Sequence, residues 1–375
     1  MDGTAEPALG TTMSDPGVSM GAGQVVAWAG GYAALGDRVW VSSDGRAWTG
    51  HPLPRTVDGP ELSLLAWQDE LLLVEQRALE RGWRFRLWSS SDGGEWQRAG
   101  TFDQRPVGKL QGCAFTYPHV VSSETRILAM ADCVPYANGR VGLAVAQLAA
   151  EQPSEPSVPI WAWTSDDGAH WDRHLVTDRL DPRGAGRSPV LAKAIGDGFA
   201  AVLCCYPPTL WWSDDGASWS QLGALPAEYE DVDDLAAFVR DGRPETWLLF
   251  ADKHHEHPDP GLTGALGTLW VGNGSAWSEV VGRYDWQGGV IATDDDVGVA
   301  VTVKVVGEDP DLVRVDTISS TDGGRGWAVS EGQELAPDEC CLGAIAMHGD
   351  RAFLAGPWGP DGVTLRRADL YGSTP

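Results

Sequence analysis

Between positions 251 and 268 the chain gathers Asp252, His254, His255, Glu256, His257 and Asp259. Alternate residues of an extended segment point the same way, so His255 and His257 can share a divalent metal, with Asp259 or Cys205 completing the ligand set. The competing reading is a solvated histidine-rich loop. Three other clusters carry chemistry. Glu230 and Asp231, in the run Tyr229, Glu230, Asp231 and Asp233, are neighbouring carboxylates of the kind that act as acid and base in glycoside cleavage. Arg283, Tyr284, Asp285 and Trp286 set a charge pair beside aromatic faces, which suits sugar recognition, and Asp285 is a third candidate acid. Arg183 and Arg187 can grip a carboxylate or phosphate. Together with Tyr229, Arg283, Tyr284 and Trp286 they form the expected ligand-binding set, and ordinary loop solvation is the alternative for each. A divalent metal at the histidine run is the one cofactor suggested; P-loop, dinucleotide fingerprint and zincin motifs do not occur in the sequence.

These clusters fall between copies of a recurring phrase, Trp-x-Ser-x-Asp-Gly-x-x-Trp, which uses ten of the 19 tryptophans. Four copies are complete: Trp40, Ser42, Asp44, Gly45, Trp48; Trp88, Ser90, Asp92, Gly93, Trp96; Trp163, Ser165, Asp167, Gly168, Trp171; and Trp211, Ser213, Asp215, Gly216, Trp219. A fifth keeps Asn273, Gly274 and Trp277 with Val271 in the serine slot, and a sixth keeps Ser320, Asp322, Gly323 and Trp327 with one extra residue. Asp or Asn followed by Gly between aromatic-rich runs is hairpin chemistry: the side chain accepts turn N–H groups and glycine takes the positive-φ position. Identical residues repeated around a fold cannot all line one active site, so each copy is read as a structural turn lock.

The locks recur about every 50 residues, near the length of one four-stranded propeller blade, with two longer steps explained by insertions. Upstream of each lock lie a segment of small and apolar residues, a polar turn and a second apolar run, as in Val190–Ile195, Gly196-Asp197-Gly198 and Phe199–Leu203. The pattern predicts an all-β propeller of seven four-stranded antiparallel blades, with six as the alternative. The last unit, within 341–370, lacks a lock and a fourth strand, and a strand from around Glu6–Gly10 is expected to close it and remove the open edge. The expected organisation is an N-terminal segment 1–16, one propeller domain 17–370 and a tail 371–375.

On these residues the chain resembles the Asp-box (BNR-repeat) propellers of the sialidase-like and photosystem II stability factor-like superfamily. The resemblance covers about residues 17 to 370 and implies the fold, since that superfamily includes glycan hydrolases, assembly factors and receptors. The chain departs from true sialidases: it has no Arg-Ile-Pro motif, and Arg38 is followed by Val39 and Trp40. No sialidase catalytic residue is carried across.

Fifty-three acidic residues against 27 basic ones give a net charge of −26, which disfavours nucleic acid and anionic membranes as partners. No apolar stretch approaches the roughly 20 residues of a membrane span. The first 17 residues lack a basic region and an apolar core. Two locations stay open, extracytoplasmic with a signal removed or cytoplasmic. Cys113 and Cys133 flank a turn at 122–125 whose midpoint at Ser123 would set the two sulfurs opposite each other, as a cross-strand disulfide requires. Cys204, Cys205, Cys340 and Cys341 form two adjacent pairs whose members point to opposite strand faces. Function divides into two readings. One is a monomeric, non-catalytic propeller binding a glycan, peptide or protein through the loops opposite the locks. The other is a glycan-cleaving hydrolase or lyase, metal-assisted or not, at the mouth of the central channel.

Overall fold

A computed structural model of the chain describes residues 24–45, 47–55, 57, 61–105, 113–115, 118–135, 158–180, 190–203, 208–226, 231–254, 265–280, 286–294, 296–305, 313–330, 334–335, 344–348, 351–359 and 362–369. Among them every regular element is a strand. None of the described residues forms a helix long and apolar enough to cross a membrane.

The first blade comprises β1 (Gln24–Trp28), β2 (Gly31–Leu35), β3 (Val39–Ser42) and β4 (Thr49–His51), paired in that order. The second comprises β5 (Glu61–Trp67), β6 (Glu70–Leu79), β7 (Gly82–Ser90) and β8 (Gln97–Gln104). In the third the inner position is split: β9 (Cys113–Phe115) and β10 (His119–Ser122) both pair with β11 (Ile127–Pro135), followed by β12 (Val158–Ser165) and β13 (Asp172–Leu180). The fourth is β14 (Val190–Ile195), β15 (Gly198–Leu203), β16 (Thr209–Ser213) and β17 (Ser220–Ala224). The fifth is β18 (Asp231–Arg240), β19 (Arg243–His254), β20 (Ala265–Gly272) and β21 (Trp277–Glu279). The sixth is β22 (Trp286–Asp294), β23 (Val297–Val305), β24 (Val313–Ser320) and β25 (Ala328–Ser330), with the short β26 (Glu334–Leu335) also on β24.

These six four-stranded antiparallel blades stand in a ring and form a six-bladed β-propeller. The seven-blade reading is not matched. After the sixth blade comes a three-stranded sheet, β27 (Ala344–His348), β28 (Arg351–Gly359) and β29 (Gly362–Asp369), whose β27 lies against β22 and β1. It has no fourth strand among the described residues. Residues 1–16, expected to supply one, lie outside them.

The core is a series of layers between neighbouring blades rather than one central mass. Trp28, Leu35, Leu71 and Trp88 fill the gap between blades one and two. Leu87, Phe115, Ile127 and Trp163 fill the next, and Leu128, Met130, Phe199 and Leu203 the third. The second strand of each blade is covered on both faces, which is why β15 reads as an unbroken apolar run, Gly-Phe-Ala-Ala-Val-Leu, and is buried throughout. Each large apolar side chain sealed this way contributes about 1.5–3 kcal/mol.

All six locks join the third and fourth strands of their blades, and their side chains make the turn. In the second, Ser90 Oγ accepts from Gly93 N at 2.9 Å, and Asp92 Oδ1 accepts from Gly94 N and Glu95 N at 2.8 and 3.0 Å. Trp96 Nε1 donates to the Gly93 carbonyl at 3.1 Å. Gly93 holds a φ of 74°, the left-handed region that glycine enters freely. The first, third and fourth locks repeat the tryptophan bond through Trp48, Trp171 and Trp219. In the sixth, the extra residue shifts both bonds by one position. Gly324, rather than Gly323, donates to Ser320 Oγ and accepts from Trp327 Nε1. The fifth is held by Asn273 alone, whose Oδ1 accepts from Ser275 N and Ala276 N, while Trp277 Nε1 is buried without a partner.

Turns joining first and second strands lie at the same end and tie blade to blade. Gln68 Nε2 donates to the Asp166 carbonyl at 3.0 Å. Arg126 forks onto Asp166 and also donates to the Asp215 carbonyl at 2.6 Å. Arg243 reaches back to Asp214 at 3.2 Å. Outer strands press onto adjacent locks: a Cβ on Gly100 would stand 2.0 Å from the Gly168 carbonyl.

Candidate functional site

The inner strands begin at the end away from the locks, and three of them carry a polar side chain that joins or faces its neighbours across blades. Each sits in a segment of small or apolar residues: His119 before Val-Val on β10, Lys193 within Val-Leu-Ala-Lys-Ala-Ile on β14, and Asp234 before Leu-Ala-Ala on β18. Strand alternation gives such residues an inward or inter-blade direction, the signal by which the sequence could have revealed them.

Lys193 Nζ lies 2.6 Å from Asp234 Oδ1, with the lysine side chain 38 % exposed and the aspartate 6 %. Asp234 also accepts from its neighbour Leu235 N and, through Oδ2, from Ile291 N of the sixth blade, both at 2.9 Å. One carboxylate thus joins three blades and fixes one ammonium at the edge of the channel. His119 is largely enclosed, and burial followed by the Lys193 charge pushes its pKa down to about 4. It is therefore neutral at pH 7, with one ring nitrogen able to donate and the other to accept.

Two other acids are shifted by burial. Asp132, near the end of β11, is 1 % exposed, and its Oδ1 has no hydrogen-bond partner. Burial raises its pKa to about 7. Glu61, first in β5, is likewise raised by burial and has one oxygen unpartnered. Acid–base chemistry needs a group that both titrates near the working pH and reaches the substrate. Asp132 titrates there but is enclosed; His119 faces the channel cluster but titrates far below.

The sequence-based candidates fall elsewhere. Arg183, Arg187, Tyr229, Glu230, His255, His257, Arg283, Tyr284 and Asp285 lie outside the described residues, as do Glu256 and Asp259. Asp231 opens β18 and Trp286 opens β22, so their backbones stand at the end of the ring where inner strands begin. His254 closes β19, paired with Ala265. Among the described residues no three His, Cys, Asp or Glu side chains form a set able to hold a metal ion.

The expected directly opposite placement of Cys113 and Cys133 needs correction. Cys133 is disulfide-bonded. The register, however, places Cys133 across from Phe115 and Cys113 across from Pro135, so the two cysteines are diagonal rather than opposite. The reason is the turn: Ser123 N bonds Arg126 O, and Ser122 pairs with Ile127, which centres the reversal beyond Ser123. Cys204, Cys205, Cys340 and Cys341 lie outside the described residues.

No family model and no curated protein matches the chain. Solved structures do resemble it. A polysaccharide lyase described as a PL25 ulvan lyase bound to -[GlcA(1-4)Rha3S]- superposes with a TM-score of 0.54 and 11% identity, over 95% of this chain and 95% of that one. A mutant Trypanosoma rangeli sialidase with trans-sialidase activity gives a TM-score of 0.43 and 10% identity over 89% of this chain, which spans 57% of that protein's length. A Penicillium chrysogenum alpha-L-arabinanase complexed with arabinobiose gives 0.42 and 13%, over 84% of this chain and 96% of that one. At these identities the likeness is one of fold, and the superposition on the ulvan lyase carries it.

Proposed function

We propose that the protein is a non-catalytic, glycan-binding propeller whose ligand sits at the channel mouth, on the face opposite the locks. The observation that carries this reading is the Lys193–Asp234 pair, an exposed ammonium anchored by a buried carboxylate beside a neutral imidazole. Such a set donates to and accepts from sugar hydroxyls, and the ammonium can face a sugar carboxylate. The loop residues Arg183, Arg187, Tyr229, Arg283, Tyr284 and Trp286 are proposed to complete the site, because binding groups concentrate on loops held by a rigid scaffold. Binding is favoured over cleavage by the mismatch between Asp132 and His119, since neither combines access with a suitable pKa.

The test is a glycan array with the full chain, followed by calorimetric titration of the best ligand against Lys193→Ala. Loss of at least tenfold in affinity supports the reading. A fluorogenic glycoside panel and an assay for unsaturated lyase products are run in parallel. Turnover abolished by Asp285→Asn, or by replacing Glu230 and Asp231 together, would overturn it in favour of an enzyme. Stoichiometric metal lost on alanine replacement of His255, His257 and Asp259 would point the same way.

A further inference from the structure

The outer half of the second blade carries a groove of about 690 Å³, lined by Arg84, Arg86, Trp88, Arg98, Thr101 and Asp103. The register explains the grouping. Arg84 pairs with Asp103, Arg86 with Thr101 and Trp88 with Arg98, so all six side chains leave the sheet on one face. That face looks toward the first blade, whose outermost strand β4 has only three residues against eight in β8. A short strand cannot cover a long one, and the overhang is the groove.

The arginines are held in place. Arg84 forks onto Asp103 through Nε and Nη2 at 2.6 and 2.9 Å, and Arg105 meets the same carboxylate at 3.0 Å. Arg86 bonds Glu75, whose side chain is 1 % exposed beneath it. Arg98 bonds the neutral hydroxyl of Thr101. Among the described residues Arg84, Arg86, Arg98 and Arg105 stand together here with Asp103 and Glu75, a local gathering of guanidinium groups on a chain whose net charge is −26.

We propose that this groove is a binding subsite for a linear acidic saccharide, distinct from the channel mouth. Alternate residues along β7 stand about 6.8 Å apart, so Arg84 and Arg86 present charges in a row, matching a chain of repeated anionic groups better than a single ion. Guanidinium forks recognise carboxylate and sulfate alike. Asp103 and Thr101 add acceptors for hydroxyl donors, which a saccharide carries on every ring and the side chains of an acidic peptide such as polyglutamate lack. The class of ligand rests on the glycan reading above; the location does not.

The experiment is calorimetric titration of the full chain at physiological ionic strength, where the Debye length of about 8 Å lets the local arginines outweigh the distant net charge. The probes are hexagalacturonate, a sulfated hexasaccharide, neutral cellohexaose and polyglutamate. Binding of at least one acidic saccharide, tenfold or more above cellohexaose and polyglutamate, is expected; which of the two binds tighter tells carboxylate from sulfate. Arg98→Glu should lower that affinity at least tenfold and Arg98→Gln less, with the unfolding midpoint of both unchanged, since Arg98 lies on the surface. Lys193→Ala should leave it unaltered. Binding of neither acidic saccharide, equal binding of polyglutamate, or an unaffected Arg98→Glu variant overturns the inference. Loss in Lys193→Ala alone would sink the groove and leave the channel reading standing.

Discussion

The two ends of the ring satisfy their polar groups in opposite ways. Within the locks themselves, partners lie two to four residues apart in sequence: Ser165 with Asp167 and Gly168, Asp167 with Ala169 and His170, Trp219 with Gly216. At the other end, partners come from different blades, as Lys193, Asp234 and Ile291 do, or are missing, as at Asp132 Oδ1 and both side-chain polar atoms of Gln104. Local partners make a turn that any surrounding sequence can adopt, whereas partners from three blades exist only once the ring has closed. The first arrangement suits a repeated joint and the second a unique site.

The sharpest way to break this contrast is Asp234→Ala. It leaves the buried Ile291 amide without its acceptor and removes the charge-assisted bond to a half-exposed ammonium, which should cost about 2–3 kcal/mol. Urea unfolding should show that loss, together with weaker coupling of blades four to six in hydrogen exchange. A cost under about 1 kcal/mol would mean the inter-blade pair is not structural.

Asp132 tests the same end through pH. Its folded pKa of about 7 exceeds the ordinary carboxylate value, so between about pH 4 and 7 the folded chain holds a proton that the unfolded chain has released. Stability from this group is full below pH 4 and is lost as pH rises toward 7. His119 acts in the other direction: its pKa is depressed to about 4, so stability is full above about 6.5 and falls as pH drops toward 4. Asp132→Asn should remove the alkaline-side loss, about 1.4 kcal/mol for each unit of displacement. The check is the difference in urea midpoint between variant and wild type at pH 5 and pH 8. An unchanged difference would count against the buried acid.

At the lock end the effects should be smaller and repeat from blade to blade. Ser165→Ala leaves the Gly168 N–H without its acceptor and should cost about 1–2 kcal/mol. Gly100→Ala pushes a methyl into the Gly168 carbonyl and should cost a similar amount, about 1–3 kcal/mol. Both are read from thermal and urea unfolding. Least of all, Arg243→Ala removes an exposed pair with Asp214 and should fall within about 0.5 kcal/mol of wild type. A larger loss would show that the ties between blades carry more than surface ion pairs do.

This contrast also explains what could be read in advance. The locks were legible because their chemistry is local: Ser, Asp, Gly and Trp at fixed offsets specify their own hydrogen bonds. Even there, the single extra residue of the sixth copy hid the transfer of both bonds from Gly323 to Gly324. Blade count was less legible, because the last unit carries no lock and shows only three strands among the described residues. The diagonal placement of Cys113 and Cys133 followed from a turn shifted past Ser123, which no pairing rule supplied. Lys193 and Asp234 were written in the sequence as charges inside small-residue segments, but their 2.6 Å meeting is set by the angle between neighbouring blades. The arginine groove was hidden for a related reason, since it arises from the mismatch in length between β4 and β8.

The bonds from Gln68, Arg126 and Arg243 to the aspartates of adjoining turns form an arc through the second to fifth blades. A sector hooped to its neighbours cannot loosen by itself. Amide protons in the corners of those blades should therefore exchange with solvent in concert.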